Sequence, residues 1–256
     1  MKYNIERLIR EFELGKDLDF LFFWGHTEKL DGKISKQCLS QWFNASFLFD
    51  GVKYKTAEHW MMAQKALLFN DKHSFDKIVK SHTPKEAKAL GRKVKNFGPD
   101  VWNNHKYPIV VAGNLHKFTQ NTELFNYLKG TQEKYLLEAS PVDKVWGIGV
   151  SEDSEEADNP YAWTGENLLG FALMEVRDKI SKIDKFEFLK DPFLPPWKKY
   201  PKIDCSDMFF RMGGGESYAI DFWTWFDALS STEKEVFKIT FPPKNGWENA
   251  IERSSL

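Results

Sequence analysis

The chain has 256 residues, 42% hydrophobic and 29% charged, with a formal net charge of −1. That length allows one large domain or a domain with a small appendage, and the near balance of charge excludes a generic nucleic-acid coat protein, though a local patch can still meet nucleic acid. Two cysteines far apart, Cys38 and Cys205, exclude a disulfide framework; with neither a signal-peptide segment nor a membrane-length apolar run, they lead us to expect a cytoplasmic protein without membrane association.

Residues 4–14 read as a short amphipathic helix and "FLFFWG" (20–25) as a buried strand. "LSQWFNASFLFDGVKY" (39–54) reads as two short strands about Asp50-Gly51, a common hairpin turn. Thr56 is a good N-cap for the helix within "YKTAEHWMMAQKALLF" (54–69). A second helical zone runs from Asp71 to about Val94, with Pro84 starting a new helix after Thr83. A third runs from about Asp100 to Leu128, expected in two pieces because of Pro108. "KYLLEAS" (134–140) is a strand, "DKVWGIG" (143–149) a Gly-punctuated loop, and "NLLGFALMEVRDKI" (167–180) a periodic helix capped by Asn167. Four prolines in "DPFLPPWKKYP" (191–201) suggest an extended linker. A Gly turn and two short helices follow, the second opened by a capping box of Ser230 and Glu233. The expected fold is mainly α with a few short strands: a compact helical domain over 1–181, a Pro-rich linker over 182–199 and a small helical module over 200–256.

The helix at 54–69 poses the chemical question. Glu58 and Lys65 lie seven residues apart, almost two turns, so they face nearly the same way about 10 Å apart along the axis. The lysine stem leans back toward Glu58. Met62 and Phe69 share the stripe, and the other faces carry Trp60, Met61, Ala63, Leu67 and Leu68, a pattern of burial. A buried lysine tends to lose its proton and a neutral amine attacks electrophilic carbon, while a carboxyl beside it can move protons. Spacing alone is equally served by a surface Glu and Lys on a half-buried helix.

Other constellations are weaker. In "EASPVDKVWGIG" the glycines, Gly147 among them, allow close backbone approach to a ligand, with Asp143 and Trp146 at the mouth; a tight turn with Trp146 in the core serves the same residues. The acidic stretch 151–159 reads as a solvated loop or lid. "KIVKSHTPKEAKALGRKVKNF" (77–97) holds seven Lys or Arg against one Glu, which makes a phosphate patch or a solvated helix face, with Arg92 the best candidate for a bidentate contact. Metal-ligand spacing, GxGxxG and Walker loops are missing, and "RMGGGE" (211–216) reads as a turn.

Taken together, "FFWGH", "LSQWF", "YKTAEHWMMAQKALLF", "ALGRKV", "VW" at 101–102, "NLHKFTQN", "LLEASPVDKVWGIG" and "WTGENLLGFALMEVRD" resemble the NADAR family of YbiA-like N-glycosidases. The resemblance covers most of residues 20–178 in the family's order. It implies a mainly helical fold that cleaves N-glycosidic bonds of ribose derivatives without metal or cofactor. One branch acts on early riboflavin-pathway intermediates. Another removes ADP-ribose from guanine, reversing DNA ADP-ribosyltransferase toxins, and the "FFWGH" and "LSQWF" forms look more like this branch. Carried over by motif, Lys65 is the catalytic lysine and Glu58 the acid/base, with Asp143 beside them. Trp24, Tyr54, Arg92, Trp102, Trp146, Gly147 and Asn167 are then expected at the substrate, an ADP-ribosylated guanine nucleoside or DNA. A module that binds ADP-ribose or NAD without cleaving it is the reading from another class.

Overall fold

Helix α1 (Ile5–Glu13) begins where the Asn4 side chain accepts the Arg7 N–H at 2.8 Å, a standard N-cap. It opens the computed structural model, which describes residues 1–28, 32–244 and 246–253. Strand β1 (Phe20–Phe23) follows, then a 3-10 turn at Lys36–Leu39 and the hairpin β2 (Phe47–Phe49) and β3 (Val52–Tyr54), which turns at Asp50 and Gly51, both at positive φ. The first hairpin strand was expected from residue 39. The carbonyls of Cys38 and Ser40 instead accept from the buried Lys117 amine at 2.6 and 2.8 Å, so Leu39 ends the 3-10 turn and residues 40–46 form a loop tied to a helix rather than a strand.

Helix α2 (Ala57–Leu68) starts at Thr56, whose hydroxyl accepts the His59 N–H. Helices α3 (Lys72–Lys80) and α4 (Pro84–Gly91) follow, the latter with a Thr83–Glu86 capping box and Pro84 in its first turn. Helix α5 (Pro99–Thr119) runs through Pro108 unbroken, and the break comes at Gln120 and Asn121 before α6 (Thr122–Gly130). Proline removes one helical N–H; packing on α2 and on α7 (Leu168–Ile180) holds α5 together across that gap. Beside the proline, Trp60 Nε1 donates to the Ile109 carbonyl at 2.8 Å. Gly113 admits the indole, since a Cβ there would lie 2.3 Å from Trp60 Cδ1.

Strand β4 (Tyr135–Glu138) pairs in parallel with β1, with Phe20 opposite Tyr135 and Phe23 opposite Glu138. Helix α7 backs β4. Asn167 does not cap α7 through its side chain. It sits at φ 51°, accepts the Glu138 N–H at 3.0 Å and donates to the Leu136 carbonyl at 2.9 Å. Its amide therefore serves the strand, not the helix.

The chain divides into two units, Met1–Ser181 and Lys182–Leu256. The second holds α8 (Pro196–Lys199), α9 (Phe209–Met212), α10 (Glu216–Asp227), α11 (Ser231–Thr240), opened by the Ser230–Glu233 capping box, and α12 (Trp247–Arg253). Its core is aromatic, built on Trp197, Phe222, Phe226, Phe237 and Trp247. The proline-rich stretch is thus more than an extended linker. Pro196 starts a helical turn, and Trp197, 2% exposed, is a core residue. Among the described residues no helix is long and apolar enough to cross a membrane.

Candidate active site

Glu58 lies in the first turn of α2 and is 4% exposed. Its backbone N–H, one of the orphan donors of a helix start, donates to the Gln41 carbonyl at 3.0 Å. The loop carrying Gln41 is itself fixed from α5, because Asn114 donates to the Gln41 side chain at 2.9 Å and Lys117 holds Cys38 and Ser40. The next residue, Trp42, is near enough to favour the charged form of the Glu58 carboxyl. Burial pushes that carboxyl up to about 7, against the opposing pull of Lys88, Trp42 and Arg92, while Asp143 adds a like charge. Glu58 Oε1 has no hydrogen-bond partner among the described residues.

A second carboxyl, not anticipated from the sequence, belongs to the same electrostatic group. Glu138 ends β4, and burial, with Asp143 and Glu58 as like charges and Lys88 opposing, pushes it up to about 8. The residue is half-buried as a whole, yet Oε2 is shut off from solvent and unpartnered among the described residues. Asp143 has a different environment. Its Oδ1 accepts the N–H groups of Val145 and Trp146 at 3.0 and 2.8 Å, which shapes the loop.

Lys65 is half-buried in the last turn of α2, with Nζ 4.1 Å from the Phe97 ring centre and 5.4 Å from that of Trp102. Loss of water to this surround lowers its pKa, and desolvation is the only cause at work. The amine lies over the two rings, and no ion pair joins it to Glu58 among the described residues. Between the two residues stands Met62, against which Gly91 packs so tightly that a Cβ there would lie 2.1 Å from Sδ. Glu58 and Lys65 share a stripe without touching.

The other expected site residues divide. Arg92 is exposed at the end of α4, and its charge reaches Glu58. Lys88, one turn earlier, acts on both Glu58 and Glu138 and lies 5.8 Å from the Trp42 ring centre. Trp24 is 53% exposed, immediately after the strand end that pairs with Glu138. Trp146 is half-buried, with its backbone fixed by Asp143 and Leu169. Tyr54 is buried in an aromatic cluster with Phe47 and Trp60. Gly147 packs closely on protein, since a Cβ there would lie 2.6 Å from the Glu138 carbonyl. Asn167 is fully buried against β4. These last two place Glu138. The acidic stretch is tied down where Lys36 reaches Glu152 at 2.6 Å and where Trp163 Nε1 donates to the Ala157 carbonyl at 2.8 Å. Trp42, Lys88 and Glu138 are the residues that sequence reasoning missed. All three lie inside stretches already singled out, which was the available signal. Among the described residues no group of three or more His, Cys, Asp or Glu is arranged to hold a metal.

A NADAR domain model matches residues 22–181, a span that holds every residue placed above. The chain belongs to the NADAR family. N-glycosidase R617 of Acanthamoeba polyphaga mimivirus is 41% identical over 62% of this chain and 95% of the viral protein. Protein irg-1 of Caenorhabditis elegans is 31% identical over 56% of this chain and 68% of the worm protein. The NMR structure of Escherichia coli YbiA superposes with a TM-score of 0.52 at 24% identity, covering 64% of this chain and 85% of that one, so the NADAR fold is shared. At the identity and coverage of the viral relative, this NADAR chain is an N-glycosidase.

Proposed function

We propose that this N-glycosidase removes ADP-ribose from guanine bases, in nucleosides or DNA, through an imine formed on Lys65. The observation that carries the reading is the Lys65 amine, desolvated against Phe97 and Trp102 on the same helix stripe as a carboxyl that burial keeps protonated near neutral pH. Desolvation makes the amine available as a nucleophile, and a neutral Glu58 can give up a proton. The substrate's ribose bridges the space that Met62 keeps between them. Trp102 and Trp146 wall in base and ribose, Asp143 meets ribose hydroxyls or orients water, and Arg92 with Lys88 meets the pyrophosphate. Trp24 and Trp42 belong to the motif forms most like the ADP-ribosyl-guanine branch, and Trp42 acts on the Glu58 carboxyl. Such a substrate implies a DNA ADP-ribosyltransferase toxin as the functional counterpart.

Incubation of the full chain with ADP-ribosyl-guanosine, ADP-ribosylated guanine DNA and a phosphorylated pyrimidine riboside of riboflavin synthesis tests this. Mass analysis is expected to show free ADP-ribose and unmodified guanine. Release from the pyrimidine riboside alone moves the enzyme to the other branch. Calorimetric binding of ADP-ribose with no product from any substrate makes it a binding module.

A further inference from the structure

We propose that Glu138 is a second catalytic carboxylic acid, partner to Glu58, so that the site holds one proton donor for each of the two bonds that must break. The inference rests on the imine reading above and extends it to a residue outside the sequence-derived site.

The chemistry sets the demand. Forming an imine from an amine and an N-riboside breaks two bonds at the anomeric carbon, to the ring oxygen and to the base nitrogen. When the Lys65 lone pair bonds to that carbon, the electrons of the carbon–oxygen bond pass to the ring oxygen, which takes a proton from one acid. The new ammonium returns a proton to the same carboxylate. The nitrogen lone pair then forms the double bond as the bond to the base breaks, and the departing base takes a proton from the second acid. Water adds to the iminium, the carbinolamine expels the Lys65 amine, and the proton released restores the second acid. The sum is substrate plus water giving free sugar and base, with both acids regenerated.

The structure meets that demand. Glu58 and Glu138 each have a carboxyl oxygen shut off from water with no partner among the described residues, an arrangement that burial penalises unless a ligand completes it. Glu138 is held by its backbone from three sides. Its N–H donates to Asn167, its carbonyl accepts from Ser140 and Ile148 at 2.8 and 2.9 Å, and its strand pairs with β1. Asn167 and Gly147, expected at the substrate, have this clamp as their visible work. The charged groups acting on Glu138 are Asp143 from the loop, Lys88 from α4 and Glu58 from α2, while β1 and the start of α7 present Phe23 and Asn167, which do not titrate. The pair shares the acids' usual fate in such sites, both carboxyls raised, to about 7 and about 8.

The test is Glu138→Gln in the full chain on ADP-ribosyl-guanosine, with Glu138→Asp as the variant that keeps an acid. Glu138→Gln is expected to lose about 100-fold or more in kcat with KM within about threefold, the range for a proton-transfer group. Its rate should fall less steeply above pH 8 than that of wild type, by one proton's worth of slope, and its Tm at pH 8 should equal or exceed wild type. Glu138→Asp should recover much of the loss. A purely structural Glu138 changes Tm and leaves the slope alone, and that result overturns the inference. An active wild type with Glu138→Gln unimpaired overturns it alone. A wild type inactive on this substrate overturns the substrate reading and the inference with it.

Discussion

Two regions of the first unit each draw a lysine out of water, one fully and one in part, and they treat it in opposite ways. Around Lys117, which is fully buried, the amine donates to two backbone carbonyls at 2.6 and 2.8 Å. Burial still lowers it to about 8, but its hydrogen bonds are made and it ties a loop to a helix. Around Lys65 the amine lies over ring faces, and the carboxyls near the other end of its helix keep oxygens without a partner among the described residues. Buried polar groups are usually satisfied by the protein itself. The Lys117 amine follows that rule, although Asn114 Oδ1 beside it is unpartnered among the described residues. Lys65, Glu58 and Glu138 are instead groups that can attack and protonate, and on the reading proposed above they are the site.

The comparison breaks most sharply at the two lysines. Lys65→Ala should abolish turnover while leaving Tm near wild type, as measured by steady-state kinetics and thermal melting. Among the described residues Lys65 has no acceptor to strand.

Next in size is Glu58→Gln, expected to reduce kcat by about 100-fold or more. It should also stabilise the fold in a pH-dependent way. The folded carboxyl lies near 7, above its ordinary 4.5. Between those values the folded state keeps a proton that the unfolded chain has released, so stability falls as pH rises through the window and is greatest below it. Glu58→Gln removes that loss, and its Tm advantage should grow between pH 5 and pH 8. A constant difference across that range would show that Glu58 is not buried neutral.

Lys117→Met acts on the other side of the comparison. It strands two carbonyls, at about 1–3 kcal/mol for a buried unpartnered group. The Tm should drop by several degrees, since about 2–4 °C per kcal/mol is usual at this size. Turnover should suffer less than in Glu58→Gln, through the loop that brings Trp42 to Glu58. Smaller still, Arg92→Ala should raise KM about tenfold, in the range of one lost charge-assisted hydrogen bond, with kcat kept and the effect shrinking in high salt.

How much of this was legible in the sequence depends on how local its cause is. Thr56, Thr83 and Ser230 cap their helices as the residue types predict, because a cap is decided within four residues. Asp50-Gly51 turns its hairpin for the same reason. The Glu58–Lys65 stripe was visible as helical spacing. Glu138 was not, because its burial depends on pairing with β1 far back in the chain and on Asn167 ahead of it. Pro108 misled because the local rule for proline was outweighed by packing on α2 and α7. Asn167 misled because a residue type suited to capping was recruited by a neighbouring strand. Residues 39–46 were read as strand because nothing near them announces Lys117.

The nucleophile is the claim on which the rest depends. Wild type and Lys65→Ala are each mixed with ADP-ribosyl-guanosine, reduced with borohydride during turnover, digested and analysed by mass spectrometry. The expected result is a reduced ADP-ribosyl adduct on the wild-type peptide containing Lys65 and on no other, with none in the variant. Sustained turnover with no adduct, or an adduct and activity that both survive in Lys65→Ala, would contradict the assignment.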